Sequence, residues 1–353
     1  MSSNILITGA AVRSDEQAKL LSESGISVLQ LELTDEKAVV ESLVNHNINI
    51  VIHTASSLVP TLALNLLAGL AEQQKASGSR AYFIHTSGLS AFCPETGWPQ
   101  GVMKDSGPIF ETEKQLADSF SLRKVIPPLF QTICADSDFP KTDVTITETA
   151  KALGVTSFIV VPSTVCRDPY NNSCLDISPR LTIFPRRQRQ RAMEPTLRDI
   201  PNSCVHISDL TEPYGLIVKN IIQGSGDTIP NGVHGHYFAI AHKMAWWETL
   251  GRLATAMEAR GLVASSETQV WASNEAAAEA TGVPEIFVGI FFNSNANIIV
   301  DNAFKLGWNP TWDKNRFFEN IDDEVVSVLE LGKAKSSLID SLFLAAKNIN
   351  GEE

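Results

Sequence analysis

Polar side chains collect where four apolar runs of this sequence end: Thr8-Gly9, His53-Thr54-Ala55-Ser56, Thr86-Ser87-Gly88 and Pro162-Ser163-Thr164. Hydroxyls and imidazoles gathered at one edge could hold a ligand, polarise a carbonyl or carry a proton. The same residue types also cap helices that follow strands. His53 and His85 end two of the runs in matching contexts, "VIHTA" and "FIHTS". Two imidazoles on neighbouring strands could begin a metal site, or could be packed, hydrogen-bonded interior residues. His234 and His236 alternate in "HGHYF", which on a strand turns both to one side. Without a third ligand nearby, a surface role is expected for them. The five cysteines, Cys93, Cys134, Cys166, Cys174 and Cys204, show no C-x-x-C spacing. Neither a zinc site nor a dithiol motif is therefore expected, and no metal ligand is assigned.

The elements that must position these residues follow from hydrophobic patterning. Short runs rich in β-branched residues predict buried strands at 4–8, 26–33, 48–55, 80–87 and 156–164. Helical patterns fall between them: one from Ser14, one from Thr34 with Glu36 near a capping-box position, one over 61–77 and one over 143–154. Gly154 stands where a C′ glycine would close the last of these. Alternation of strand and helix predicts a parallel sheet with helices on both faces, which binds ligands beyond its carboxyl edge. After about residue 170 the pattern is irregular: a strand into a helix at 204–222, a strand then a helix from about Trp246, and a turn-rich stretch at 302–312. The expected organisation is a core over 1–170 and a smaller mixed substrate lobe over 171–353, some of whose elements return to the core.

Composition excludes several classes. A formal charge of −12 does not suit a sequence-independent nucleic-acid binder, which needs basic surface. No apolar run reaches the roughly 18 residues that span a bilayer, and the first residues run directly into a strand rather than a basic leader. A cytoplasmic protein without a nucleic-acid or membrane partner is expected.

These elements resemble the extended short-chain dehydrogenase/reductase family, in its fungal NAD-dependent epimerase/dehydratase-like branch. "ILITGA", "LTD" with "VIHTAS", "FIHTSG", "FIVVPSTV", "VHISDL" and "LGWNP" follow the family's order over nearly the whole chain. The resemblance implies a Rossmann-type, doubly wound parallel sheet with a C-terminal substrate lobe. It implies NAD(P) contacts at Gly9, Ala10, Arg13, Thr54, Ala55, Ser56, Pro162 and Thr164, with Arg13 placed for an adenosine 2′-phosphate. His53 and His85 are then packed residues, and His206 and Asp209 anchor the lobe. Arg186, Arg187, Arg189, Arg191 and Arg198 become candidates for a diphosphate, a solvated face being the other reading. The aromatics Trp246, Trp247, Phe287, Phe291, Phe292, Trp308 and Trp312 read as mostly core, with some available to line a pocket.

Two departures qualify what the family implies. After Thr8-Gly9-Ala10 the next glycine is Gly25, so the glycine-rich turn that lets backbone approach a pyrophosphate is absent. Only about two dozen residues separate "ITGA" from "LELTD", about half of what two strand–helix units need, so the N-terminal part is expected to be shortened. The family's catalytic tyrosine is followed four residues later by a lysine that stabilises the phenolate. None of Tyr82, Tyr170, Tyr214 and Tyr237 has that lysine. Phe110 to Lys114 keeps the lysine beside a phenylalanine, whereas Phe139 to Asp143 has neither. In the hydroxyl position Gly88 stands between Ser87 and Ser90. Candidate catalytic residues are thus Ser87, Ser90 and Lys114.

The expected function is a non-redox isomerisation or cyclisation in secondary metabolism, on a small apolar or carbonyl-bearing substrate, with no cofactor or with NADP. A homodimer is possible on this scaffold. Two alternatives stand beside it: an NAD(P)-dependent reductase or epimerase with a rearranged cofactor site, and a non-catalytic ligand- or partner-binding module.

Overall fold

The computed structural model describes residues 4–8, 19, 21–23, 25–57, 59–119, 139–166, 201–267, 273–281, 285 and 295–331. Five parallel strands form the central sheet: β1 (Asn4–Ile7), β2 (Ile48–His53), β3 (Tyr82–Thr86), β5 (Thr156–Pro162) and β8 (His236–Ala239), in that spatial order. Strands β2, β3, β5 and β8 are buried along almost their whole length because helices cover the sheet. This is the Rossmann-like α/β architecture expected from the patterning. Beyond β1 no further strand is present among the described residues, so Ile5 and Ile7 of this edge are exposed.

Here the structure corrects one expectation: 26–33 is not a strand but irregular chain. Its apolar residues are used differently, with Leu33 buried in the core and its carbonyl accepting from Asn65 Nδ2 at 2.9 Å. The helix expected from Ser14 lies mostly outside the described residues. The helix expected from Thr34 is α1 (Glu36–Asn45), and Asp35 caps it instead, accepting from Ala38 N at 3.0 Å.

Helix α2 (Pro60–Ser77) starts with proline at its first position and packs Leu66 and Leu70 into the core. It meets α1 closely at Gly69, where a Cβ would stand 2.9 Å from Leu43. Helices α3 (Ile109–Ser119) and α4 (Phe139–Leu153) continue along the α2 face of the sheet. Gly154 ends α4 in the left-handed region, φ 70°, as its position in the sequence predicts. Helix α5 (Ile207–Ile222) covers the opposite face, its Tyr214 hydroxyl 2.8 Å from Thr86 Oγ1.

The rest of the chain builds two smaller sheets. β4 (Met103–Lys104) pairs in parallel with β10 (Ile298–Ile299). β6 (Thr164–Cys166), β7 (Pro201–His206) and β9 (His242–Ala245) form the other, β7 being parallel to β6 and antiparallel to β9. Helices α6 (Trp246–Ala259), α9 (Lys314–Glu319) and α10 (Ile321–Leu331) pack a second apolar cluster on this sheet, around Met244, Leu253, Phe317 and Val325. The remaining helices are α7 (Asn274–Thr281) and the single turn α8 (Asn302–Lys305).

Asp209 ties α5 to the 308–312 turn. Its carboxylate, buried in the first turn of α5, accepts from the backbone N–H of Thr311 at 3.0 Å and of Trp312 at 2.8 Å, and from the Thr311 hydroxyl at 3.1 Å. Its carbonyl accepts from Trp308 Nε1 at 2.8 Å. The segments "VHISDL" and "LGWNP" are thus tied directly to each other. Replacing Asp209 with alanine would leave one buried and one part-buried backbone donor without acceptors, so a loss of about 2–4 kcal/mol is expected. Urea unfolding should show a lower midpoint with an unchanged m-value. A change below about 0.5 kcal/mol, the range of ordinary surface substitutions, would remove Asp209 from this role.

Candidate functional site

The register of the sheet brings three histidines into one lateral row. His53 pairs with His85, His85 with Ile159, and Ile159 with His236. Neighbours in a parallel register point to the same face, and here it is the face covered by α3 and α4. All three histidines are buried. His53 and His85 stack with ring centroids 5.4 Å apart, and Thr8 Oγ1 lies 2.8 Å from His53 Nδ1. Burial, followed by the neighbouring His85, lowers the His53 pKa to about 3.

Each covering helix sends a carboxylate to this row. On α3, Ile109, Glu113 and Ala117 recur at intervals of four and are buried together, which inserts Glu113 into an apolar stripe. On α4 the buried residues are Thr142, Asp143, Val144, Ile146, Thr147 and Ala150. Glu113 Oε2 lies 2.8 Å from His236 Nε2, and Asp143 Oδ1 lies 3.4 Å from His85 Nε2. Burial pushes the Glu113 pKa up to about 7, His236 opposing the rise and Asp143 adding to it. Burial disfavours a charge on His236, but the carboxylates of Glu113, Asp143 and Asp105 together outweigh it and raise the pKa of His236.

At the carboxyl edge this network reaches Ser87. The Ser87 backbone N–H donates to the Val160 carbonyl at 2.9 Å, and its hydroxyl donates to Asp143 Oδ2 at 2.5 Å. A charge-assisted hydroxyl–carboxylate hydrogen bond of this kind leaves the serine oxygen able to accept a further hydrogen bond. Ser87, His85 and Asp143 therefore form one connected set, of which Ser87 is the most exposed, at 7%.

The other sequence candidates are dispersed. Ser90 sits half-buried in a 3₁₀ turn, its carbonyl accepting from Thr96 Oγ1 at 3.0 Å. Lys114 faces outward on α3, in an ion pair with Glu148 of α4 at 2.5 Å. Thr54 is exposed, Ala55 packs against the core, and Ser56 Oγ accepts from Val59 N ahead of α2. Pro162 ends β5, and Thr164 donates from β6 to Asn202 Oδ1 at 3.3 Å. Gly9, Ala10 and Arg13 lie outside the described residues, as do the arginine-rich stretch and Phe287, Phe291 and Phe292.

His236 requires correction: it is 1% exposed rather than on the surface. Its strand joins the main sheet beneath α3, and Asn302 Nδ2 holds its carbonyl at 2.9 Å. His234 sits in a separate 3₁₀ turn. Trp246, Trp308 and Trp312 are core, while Trp247 lines an open surface groove of about 620 Å³ with Arg252, Phe318 and Asp322. That groove takes no lining from the strand ends. Glu113 and Asp143 were missed by motif reading, although each is a charged residue at an apolar-stripe position, which is a readable signal.

No protein-family model and no curated protein matches the chain. Solved structures do. A partial-consensus L-threonine 3-dehydrogenase superposes with a TM-score of 0.53 at 12% identity, over 95% of this chain and 100% of that one. The UDP-Glc/GlcNAc 4-epimerase of Campylobacter jejuni gives 0.55 at 12%, over 93% and 100%. The Pseudomonas aeruginosa enzyme RMD, solved with NADPH, gives 0.52 at 12%, over 94% and 99%. The chain shares its fold with these dehydrogenase and epimerase structures. Among the described residues no helix is long and apolar enough to cross a membrane.

The depressed pKa of His53 fixes the sign of an acid effect. Its folded value of about 3 lies below the ordinary 6.5, so its contribution is complete above pH 6.5 and declines as pH falls toward 3. The slope from this group is about 1.4 kcal/mol per pH unit. His53→Gln should unfold with a shallower loss of stability between pH 6 and pH 4 than the parent. Equal slopes in urea titrations at those pH values would show that His53 is not the group responsible.

Proposed function

We propose that this chain is a small-molecule enzyme on a short-chain dehydrogenase/reductase scaffold that moves protons without transferring a hydride. Its reaction is an isomerisation or cyclisation of a small apolar, carbonyl-bearing substrate in secondary metabolism, bound at the carboxyl edge of the sheet. The observation that carries this reading is the 2.5 Å hydrogen bond from Ser87 to Asp143. In the Phe139–Asp143 segment, Asp143 takes the place of the cation that would stabilise a phenolate, and Phe139 has no acidic proton. A carboxylate there favours accepting a proton through the serine.

The chemistry follows from the pair. A proton leaving one substrate atom passes to Ser87 Oγ as the serine's own proton moves to Asp143 Oδ2. Return of the proton at a neighbouring substrate atom completes the isomerisation and restores both groups. Asp143 is fixed for this by α4 and by the adjacent His85. Proton transfer through positioned groups contributes roughly 10²- to 10⁴-fold, and holding the substrate in a reactive conformation adds to it.

A second reading, an NAD(P)-dependent reductase or epimerase, is favoured by the fold likeness to an enzyme solved with NADPH. The residues present do not fit a nicotinamide cofactor held in the family's way. The chain lacks the glycine turn after Gly9, and a buried carboxylate bonded to Ser87 replaces the lysine. No step is therefore drawn through it.

Titration of the full chain with NADPH and NADH by cofactor fluorescence separates the two. No binding up to millimolar cofactor is expected, with mass-neutral turnover in a panel of small carbonyl compounds. Micromolar binding with turnover that strictly requires the reduced cofactor would replace this reading with the second. On a turned-over substrate, Ser87→Ala and Asp143→Asn should each lower kcat by roughly 10²- to 10⁴-fold with little change in KM, and the double variant should be no worse than either.

A further inference from the structure

Beneath the strand ends, Glu113 of α3, Asp143 of α4 and His236 of β8 bring one ligand-type atom each to within 4.8 Å of one another, all three side chains buried. His85 of β3 adjoins them, fully buried, its Nε2 3.4 Å from Asp143 Oδ1. Neither ring nitrogen of His85 makes a hydrogen bond, and neither do Glu113 Oε1 and Asp143 Oδ1. His236 Nε2 lies 2.8 Å from Glu113 Oε2, and Glu113 also interacts with Asp143, so these three groups already hold one another. Buried polar atoms are ordinarily satisfied, and the open ring nitrogens of His85 beside two carboxylates would be satisfied by a cation held in common.

Charge gives the same answer. Two carboxylates against one imidazolium leave net negative charge in an apolar interior, which is costly. A divalent cation with two carboxylates and two neutral imidazoles is neutral. We infer that Glu113, Asp143, His236 and His85 form a buried site for a divalent first-row transition-metal ion, zinc or cobalt in the simplest case. Metal–ligand bonds of about 2.0–2.2 Å would draw the ligand atoms, now within 4.8 Å of one another, closer together. Mixed imidazole and carboxylate ligation suits zinc, iron and cobalt better than magnesium, which prefers oxygen and water.

The ligands come from α3, α4, β3 and β8, four elements brought together only by folding, so the ion's main effect is to clamp both covering helices to the sheet. Asp143 would present Oδ1 to the ion while Oδ2 keeps the Ser87 hydrogen bond. The site does not depend on which reaction the strand ends carry out.

The full chain, unfolded in denaturant with chelator and refolded with cobalt(II), tests this. One cobalt per chain with a visible d–d absorption band is expected, displaced by zinc and accompanied by a higher unfolding temperature. Glu113→Gln and His236→Gln should each weaken cobalt binding by more than roughly tenfold and change the band. If these variants do not fold, the parent's stoichiometry and spectrum still decide the question. Absence of a stoichiometric band in the parent would overturn the inference, as would variants that bind cobalt like the parent, since the ion would then sit on surface groups. In either case the cluster is neutralised by protons instead.

Discussion

Charge enclosed in an apolar interior has to be balanced where it lies, because the surrounding medium cannot solvate it. In this protein that requirement falls on the layer between the sheet and helices α3 and α4. Glu113 and Asp143 occupy positions on those helices where an apolar side chain would simply pack. They are accommodated because the strands beneath carry His85 and His236 at the same level. The two helices can seat on the sheet only in the register that brings carboxylates over imidazoles. Slipping a helix by one turn would separate the opposite charges and leave each buried alone. Balance of charge, together with apolar contact, therefore fixes where the helices lie.

The same layer connects the interior to the carboxyl edge. Asp143 has one oxygen toward His85 and the other on the Ser87 hydroxyl. A change in the protonation or ligation of the buried cluster is therefore felt at the residue closest to the expected substrate cleft. Fold likeness to epimerases and dehydrogenases explains why a cleft should lie there, since open parallel sheets bind ligands at that edge. It does not explain the buried carboxylate that holds the Ser87 hydroxyl. What the chain does with the scaffold depends on these local substitutions.

The lobe is attached by a different device. Asp209 satisfies two backbone donors of the 308–312 turn and receives the indole N–H of Trp308 on its carbonyl. One side chain thereby couples α5 to the 308–312 turn. His206, immediately before α5, stacks on Trp312 at 3.6 Å, and Arg316 covers the other ring contact at 4.3 Å. This explains why the two short motifs "VHISDL" and "LGWNP", far apart in the chain, act as one structural unit.

Much of the architecture was legible from residue order alone. The period-two and continuous apolar runs at 4–8, 48–55, 80–87 and 156–164 became β1, β2, β3 and β5, because a strand buried on both faces can be written in few other ways. Gly154 closed α4 because only glycine takes that backbone angle without strain. The run at 26–33 has the same composition but found no neighbouring strand, and a strand's identity depends on a partner that its own residues cannot specify. The candidate site divides in the same way. Ser87 was visible as a hydroxyl at a strand end. Its partner was not, since Asp143 lies 56 positions away and Glu113 and His236 are separated by more than a hundred. Sequence determined which residues could be charged and which helix face carried them. Only the tertiary structure decided that those faces meet over a row of histidines, because lateral register across parallel strands is set by packing between segments distant in the chain.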